Sequence, residues 1–298
     1  MEYQIIFNPA AGRGRAGRSL KPLTRSLEDL GAPWRLHQTT LTHGAEAIAR
    51  ELRDQGDTVV ATGGDGTIHQ VVNGLMGGNS PMGIIPLGGG NDLVRTLGIG
   101  ASMENAVRII RDGHIRQIDV GRFNGRYFIN QTGLGFDADV VAAIAGIPWV
   151  RGFPLYFFGL MRALFKYRNR GAVLDAPEQD YQGPAFMVII ANGQFAGGGF
   201  HVAPEARVDD GFFDVCIFKG QTLLGIFRDL PKVIHGKHLN LPQVRFFRSR
   251  DFKLHFPEGC PVQSDGELVD LSVNEIHFQL IPAGLPVIVP GPEVRNGQ

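Results

Sequence analysis

Cysteine is nearly missing from this 298-residue chain. Its two thiols, Cys216 and Cys260, have neither the spacing of a metal site nor the density of a disulfide scaffold. They fit a reducing cytosol, as buried structural thiols. Charge is also scarce: charged residues are 19% of the chain, where about a quarter is usual. Lys+Arg and Asp+Glu number 29 each, so no overall field draws nucleic acid. Long apolar runs are lacking too. Met1–Phe7 carries no basic segment ahead of an apolar one, which argues against a signal peptide. The greasiest stretch, Val140–Phe165, is broken by Pro148, Arg151, Pro154 and Arg162. Its longest uncharged piece, Val140–Val150, is too short to span a bilayer. The chain therefore reads as soluble or peripheral, with no internal repeat and no low-complexity tract.

Glycine is abundant, at 41 residues, about twice its usual share. It clusters after apparent strands. Strand signals at Tyr3–Phe7, Trp34–Thr39, Thr58–Ala61 and Met82–Pro86 alternate with helical spacing at Leu20–Leu30, Gly44–Gln55, Thr67–Leu75 and Asp92–Leu97. That alternation predicts a parallel sheet with helices on both faces, which binds ligands at the carboxyl ends of its strands. After about residue 115, strand signals dominate: Ile115–Val120, Arg126–Asn130, Ala185–Ala191, Phe213–Phe218, Val244–Phe247, Phe252–Phe256 and Glu275–Leu280. Helical exceptions lie near Asp139–Tyr167 and at Thr222–His235. The expected fold is an N-terminal doubly wound α/β nucleotide-binding domain, residues 1–122, followed by a mostly antiparallel, β-sandwich-like domain, 123–284. Residues 285–298 return to complete the first domain.

Three loops carry chemistry, and one is a decoy. Gly12-Arg13-Gly14-Arg15-Ala16-Gly17 matches the dinucleotide fingerprint, but Gln38, Thr39 and Thr40 stand where a ribose-binding carboxylate is needed. It reads better as a flexible Gly/Arg turn that meets phosphate, with a plain surface turn as the alternative. Gly63-Gly64-Asp65-Gly66-Thr67 runs from a strand into a helix, so its amides suit an anion. A carboxylate beside a phosphate repels it unless a bridging Mg²⁺ intervenes, and the bland reading of Asp65 is a helix cap. Pro86-Leu87-Gly88-Gly89-Gly90-Asn91-Asp92 repeats the design. Ser264-Asp265-Gly266-Glu267 is either an ordinary Asp-Gly hairpin turn or a carboxylate pair in which Asp265 accepts a proton from an attacking hydroxyl and Glu267 orients that hydroxyl or helps hold the metal.

In this order, these loops resemble the bacterial diacylglycerol-kinase-like lipid kinases, relatives of sphingosine and ceramide kinases. The resemblance covers nearly the whole chain. It includes Asn8-Pro9, Thr40 ahead of Gly44, and Pro204-Glu205-Ala206-Arg207-Val208-Asp209-Asp210-Gly211. It implies ATP and Mg²⁺ as cofactors, with Asn8, Thr40, Gly64, Asp65, Gly66, Thr67, Ile68, His69, Gln70, Gly89 and Asn91 at the nucleotide. It implies Asp65 and Asp92 at catalytic Mg²⁺, and a separate structural Mg²⁺ at Asp210 with the carbonyls of Arg207 and Phe212. Asp265 is the implied general base, with Glu267 beside it. Two departures stand out: Gly89 replaces a frequent Thr, and His69-Gln70 replaces a frequent Asn-Glu.

A lipid acceptor gains some support from the residues themselves. Ile147-Pro148-Trp149-Val150 and Phe153–Phe158 lie beside Arg162, Lys166, Arg168 and Arg170. That mixture suits an anionic membrane surface, although a core helix with a basic end fits it equally. The expectation is an ATP-dependent lipid kinase, cytoplasmic and peripherally membrane-associated, with no nucleic-acid partner and with a homodimer left open. Two alternatives remain: a soluble-substrate kinase of the NAD kinase or phosphofructokinase type, and a catalytically silent lipid- or nucleotide-binding protein. Diacylglycerol, phosphatidylglycerol and a sphingoid base are all open as acceptors.

Overall fold

The structure is a computed structural model that describes residues 2–144, 152–164, 167–177 and 179–291. The chain divides into two compact units: Met1–Asp119 with Ala283–Gln298, and Val120–Pro282.

The first unit is doubly wound. Strands β1 (Tyr3–Phe7), β2 (Trp34–Gln38), β3 (Thr58–Gly63) and β4 (Met82–Pro86) pair in parallel in the order β4-β3-β1-β2. Val287 of the returning chain pairs in parallel with Met82. β3 and β4 are buried along their whole length, as a sheet covered on both faces requires. Its helices are α1 (Ala11–Arg18), α2 (Leu20–Leu27), α3 (Ala45–Leu52), α4 (Asp65–Leu75), α5 (Asp92–Leu97) and α6 (Met103–Asp112). Helix α6 packs with α2 and against β4, while α3 packs on α4. Sequence spacing had no place for α6, yet its signals are present: Ser102 caps it by accepting from the Asn105 amide, and Ala106, Val107, Ile109 and Ile110 are its buried face. α1 also occupies the Gly-Arg stretch expected as a turn.

The second unit is β-rich. Its strands are β5 (Ile115–Phe123, which begins in the first unit), β6 (Arg126–Phe128), β7 (Gln131–Gly135), β8 (Arg170–Asp175), β9 (Tyr181–Ala191), β10 (Phe213–Lys219), β11 (Val244–Ser249), β12 (Asp251–Ser264) and β13 (Glu267–Ile288). The antiparallel path runs β11-β10-β9-β7-β12-β13. β10 shows how one strand serves two cores. Phe213, Val215 and Ile217 enter an aromatic core with Phe128, Phe252 and Phe278. Cys216 and Phe218 face a second core formed with α7 (Phe136–Ile144), α8 (Gly152–Leu164) and α9 (Leu223–Ile234). Alternation along a strand produces this division. Both cysteines are buried, and burial pushes the Cys260 thiol up to about 12.

Ile147–Val150, Arg151 and Lys166 of the apolar-basic stretch lie outside the described residues. Arg170 does not join a basic surface. It is buried and forked onto Asp139, with Nη1–Oδ2 at 3.1 Å and Nη2–Oδ1 at 3.4 Å.

Candidate active site

In the first unit, the glycine loops after β3 and β4 meet. The Leu87 amide donates to the Gly63 carbonyl at 2.7 Å. A Cβ on Gly64 would lie 3.1 Å from the Gly88 Cα, and one on Gly88 only 2.5 Å from the Gly64 Cα, so neither position admits a side chain without backbone movement. Asn8, just past β1, ties a third strand end to the same place. Its Nδ2 donates to Thr67 Oγ1 at 2.9 Å, and its amide to the Thr62 carbonyl at 3.1 Å.

Asp65 is the fastener between the loops. Its Oδ2 accepts from the Asn91 amide at 2.8 Å and its Oδ1 from the Asp92 amide at 2.9 Å. A carboxylate at the head of one helix therefore caps the next helix, α5. Bonds of this charge-assisted kind contribute about 1.5–3 kcal/mol each. Asn91 itself is left-handed, at φ 53°, a conformation Asn tolerates better than most residues.

The head of α4 is a ready anion site. Gly64 precedes it with no side-chain cap among the described residues, and its first internal bond is Ile68 N–H to Gly64 O at 3.0 Å. The amides ahead of Ile68 stand at the positive end of the helix. Mg²⁺ fits beside them. It takes oxygens from one or two carboxylates together with phosphate and water. Asp65 Oδ2 and Asp92 Oδ2 lie 2.7 and 3.4 Å from the Cβ position that Gly90 leaves open. Among the described residues no group of three or more His, Cys, Asp or Glu could hold a metal, so phosphate and water must complete the set.

Not all of Gly64–Gln70 presents side chains to a ligand. Ile68 and His69 are 1% and 6% exposed and turn into the unit's core, because a helix carries only one face to the loop. Gln70 stays partly exposed, near Gly44, whose Cβ would lie 3.5 Å from Gln70 Oε1. Thr40 is exposed in the turn before α3, where its Oγ1 accepts from the His43 amide at 3.0 Å. Gly89 is exposed at the tip of the second loop.

In the second unit, Asp265 and Gly266 form the two-residue turn between β12 and β13, at φ 48° and 86°, the geometry Asp-Gly favours. The hairpin reading is realised. The Asp265 carboxylate folds back into a cage of backbone amides. Oδ1 accepts from Asn130 and Gln131, each at 2.9 Å, and Oδ2 from Ile129 at 3.1 Å. The residue is 5% exposed. A carboxylate offers about four acceptor sites, so the amides fill most of its capacity. Glu267 is exposed at the head of β13.

Sequence reasoning missed the supports of this turn. The Gly266 amide donates to Gln263 Oε1 at 2.9 Å, and Gln263 Nε2 donates to Asp137 Oδ2 at 2.6 Å. Asp137 stands on the first turn of α7. Its carboxyl fills a notch left by Gly133, where a Cβ would collide with Oδ2. Burial pushes the Asp137 carboxyl up to about 6, against the opposing pull of the Gln263 bond. Asn192 steadies the cage from behind, donating to the Ile129 carbonyl at 2.8 Å. The spacing Gly133-x-Gly135-x-Asp137, running from a strand into a helix, was the available signal.

Asp210 lies elsewhere in this unit. Its Oδ1 accepts from the Phe212 amide at 3.2 Å, and its Oδ2 is paired with Arg248. Arg248 Nε also reaches Asp214 Oδ1 at 3.1 Å. The guanidinium bridges the two carboxylates and lies 5.2 Å from the Phe212 ring centre. The residues do not fit the structural Mg²⁺ implied at Asp210, because a divalent cation on that carboxylate would sit against a guanidinium already neutralising it.

The second unit also holds an apolar pocket of about 90 Å³ lined by Asp137, Val140, Leu160, Phe186, Ile226 and Leu230, among others. A cavity of roughly 150 Å³ holds benzene, so the pocket as it stands is too small for a long acyl chain.

Residues 2–123 match the family described as the diacylglycerol kinase catalytic domain, and residues 130–289 match the YegS C-terminal NAD kinase beta sandwich-like domain. A diacylglycerol kinase of Bacillus subtilis (strain 168) is 30% identical over 273 residues, covering 89% of each chain. A protein of Citrobacter koseri named "probable lipid kinase YegS-like" is also 30% identical, covering 96% of this chain and 95% of that one. The crystal structure of a diacylglycerol kinase from Bacillus anthracis str. Sterne superposes with a TM-score of 0.80 at 25% identity, covering 98% of both chains.

Proposed function

The chain belongs to the diacylglycerol kinase catalytic-domain family of lipid kinases, and from that premise we propose that it transfers the γ-phosphoryl group of ATP to a hydroxyl of a lipid. The observation that carries the reading is the junction of the two glycine loops beside Asp65 at the head of α4. Crossed glycines bring backbone amides to a polyphosphate, and the helix end favours its charge. Phosphoryl transfer asks a protein mainly for positioning and charge stabilisation. Asn8 and Thr67 hold the loop, Asp65 locks it to the second loop, Gly89 is exposed at that loop's tip, and Gln70 is partly exposed on α4. When bound, Mg²⁺ supplies neutralisation of the phosphoryl oxygens, held by Asp65 and Asp92.

Asp265 is the general base of this reading. Three amides fix the direction of its carboxylate, and that carboxylate takes the proton of an attacking hydroxyl. Glu267, beside it on the turn, orients that hydroxyl. The acceptor is a diacylglycerol, phosphatidylglycerol or sphingoid lipid, met by a peripheral protein at the cytoplasmic face of a membrane. No helix among the described residues is long and apolar enough to cross one.

Incubation with radiolabelled ATP and a panel of lipid hydroxyls, with NAD in parallel, tests the proposal. Label in at least one lipid, lost in Asp265→Asn, is the expected result. Label in NAD and in no lipid overturns it.

A further inference from the structure

Helix α9 is apolar on both sides. Its inner residues Ile226 and Leu230 line the cavity and join the core shared with α7 and α8. Its outer residues Leu223, Leu224 and Phe227 are 45%, 80% and 46% exposed. Scattered single apolar residues on a surface need no explanation. Three on one turn and a half of one helix are a patch, and on α8 of the same layer Phe157 and Phe158 are exposed as well.

The charge around α9 is arranged with equal bias. Lys219–Gln243 holds four cations, Lys219, Arg228, Lys232 and Lys237, against one acid, Asp229, in a chain whose net charge is zero. That acid points inward. The Asp229 side chain is 4% exposed, while those of Arg228 and Lys232, which pair with it, are 66% and 47% exposed. The segment after α8 adds the exposed Arg168 and is fastened to the head of α9. Tyr167 Oη donates to the Gln221 carbonyl at 2.6 Å, and Asn169 exchanges two bonds of 3.2 Å with Gln221.

We propose that the outer face of α9, Leu223, Leu224 and Phe227 flanked by Arg228 and Lys232, is the surface on which the protein docks to an anionic lipid bilayer. The assignment rests on the lipid-acceptor reading above for its occupant. Apolar groups enter the acyl boundary while cations meet anionic headgroups, which is how an interfacial helix binds. The helix then lies between the bilayer and the pocket that its inner residues Ile226 and Leu230 line.

Sedimentation with vesicles of phosphatidylcholine, with and without phosphatidylglycerol, tests this. The wild type is expected to co-sediment with the anionic vesicles. Leu224→Glu/Phe227→Glu lowers that binding by about tenfold or more, and Leu224→Glu alone, at the most exposed position, lowers it without a change in melting. Lys232→Gln lowers it about fivefold, on phosphatidylglycerol vesicles alone. Leu271→Glu, exposed on β13, leaves it unchanged. A folded double variant that binds like the wild type overturns the proposal, as does equal loss in Leu271→Glu. So does a dimer turned to monomer by the α9 changes while vesicle binding persists. Phosphoryl transfer to a short-chain acceptor in detergent micelles, measured in parallel, separates the two readings. Turnover retained with docking lost supports the docking face, and docking through α9 with no lipid phosphorylated overturns the acceptor reading instead.

Discussion

Asp65 and Asp265 perform the same mechanical task in the two units under opposite conditions. Each is the aspartate of a glycine turn, and each spends its carboxylate on backbone amides of another segment. Asp65 takes two amides from the next loop and stays partly exposed. Asp265 takes three, from residues more than 130 positions earlier, and is almost wholly buried. A partly exposed carboxylate at an open loop can share itself with a metal ion. One sunk in an amide cage has its direction dictated by its donors. Catalytic and structural readings of such residues are therefore not rivals, because the bonds that make the turn also set the chemistry.

The sharpest way to break that pairing is Asp265→Asn. Turnover falls on the order of 10²–10⁴-fold. Melting also falls, by about 2–4 kcal/mol, because an amide turns an N–H toward three N–H donors. Parallel kinetics and denaturant melts check both, and normal turnover removes Asp265 as the base. Asp65→Ala acts next. It strips the cap from α5 and costs about 1.5–3 kcal/mol, read as faster amide exchange over Asn91–Leu97 together with a raised KM for ATP. Unchanged exchange there means that Asp65 is not the fastener.

Asp137→Asn probes the support behind Asp265 through pH. A carboxyl raised to about 6 by burial favours the folded state while protonated. That contribution is complete below its unfolded value, about 4, and is lost as pH rises through about 6. The Asn variant, which can still accept from Gln263, is thus more stable than the wild type at pH 8 by about 1–3 kcal/mol, and the gain vanishes near pH 4. Urea melts at the two pH values measure it. Gly89→Thr and Gln70→Glu have the smallest effects. Both sites border the first-unit loops without carrying them, so the KM for ATP moves by about twofold to fivefold, Gly89→Thr downward and Gln70→Glu upward.

Much of the first unit was legible because its signals are local. Strand, glycine turn and helix head are consecutive in Val60–Gln70 and again in Ile84–Leu97, and a parallel sheet brings such strand ends together. α1 was hidden because glycines at 12, 14 and 17 read as a turn. In the second unit, strands were visible where alternation was clean, as in Phe252–Phe256. β12 continues well beyond that because bulges between His255 and Val262 break the period without ending the pairing. The direction of His69, the burial of Arg170 and the Arg248 bridge at Asp210 had no local signal at all, since each depends on a neighbour supplied by a distant strand or helix.

The order of elements, the two glycine loops and the Asp-Gly turn were determined by sequence alone, because glycine's tolerance of left-handed backbone and close approach is a property of single positions. Tertiary structure decided what the carboxylates do. Asp65 meets Asn91 and Asp92, Asp265 meets Ile129 to Gln131, and Asp137 reaches Gln263 only after the sheets have formed. A carboxylate's partners, and therefore its charge and direction, come from whatever the fold brings within hydrogen-bond reach.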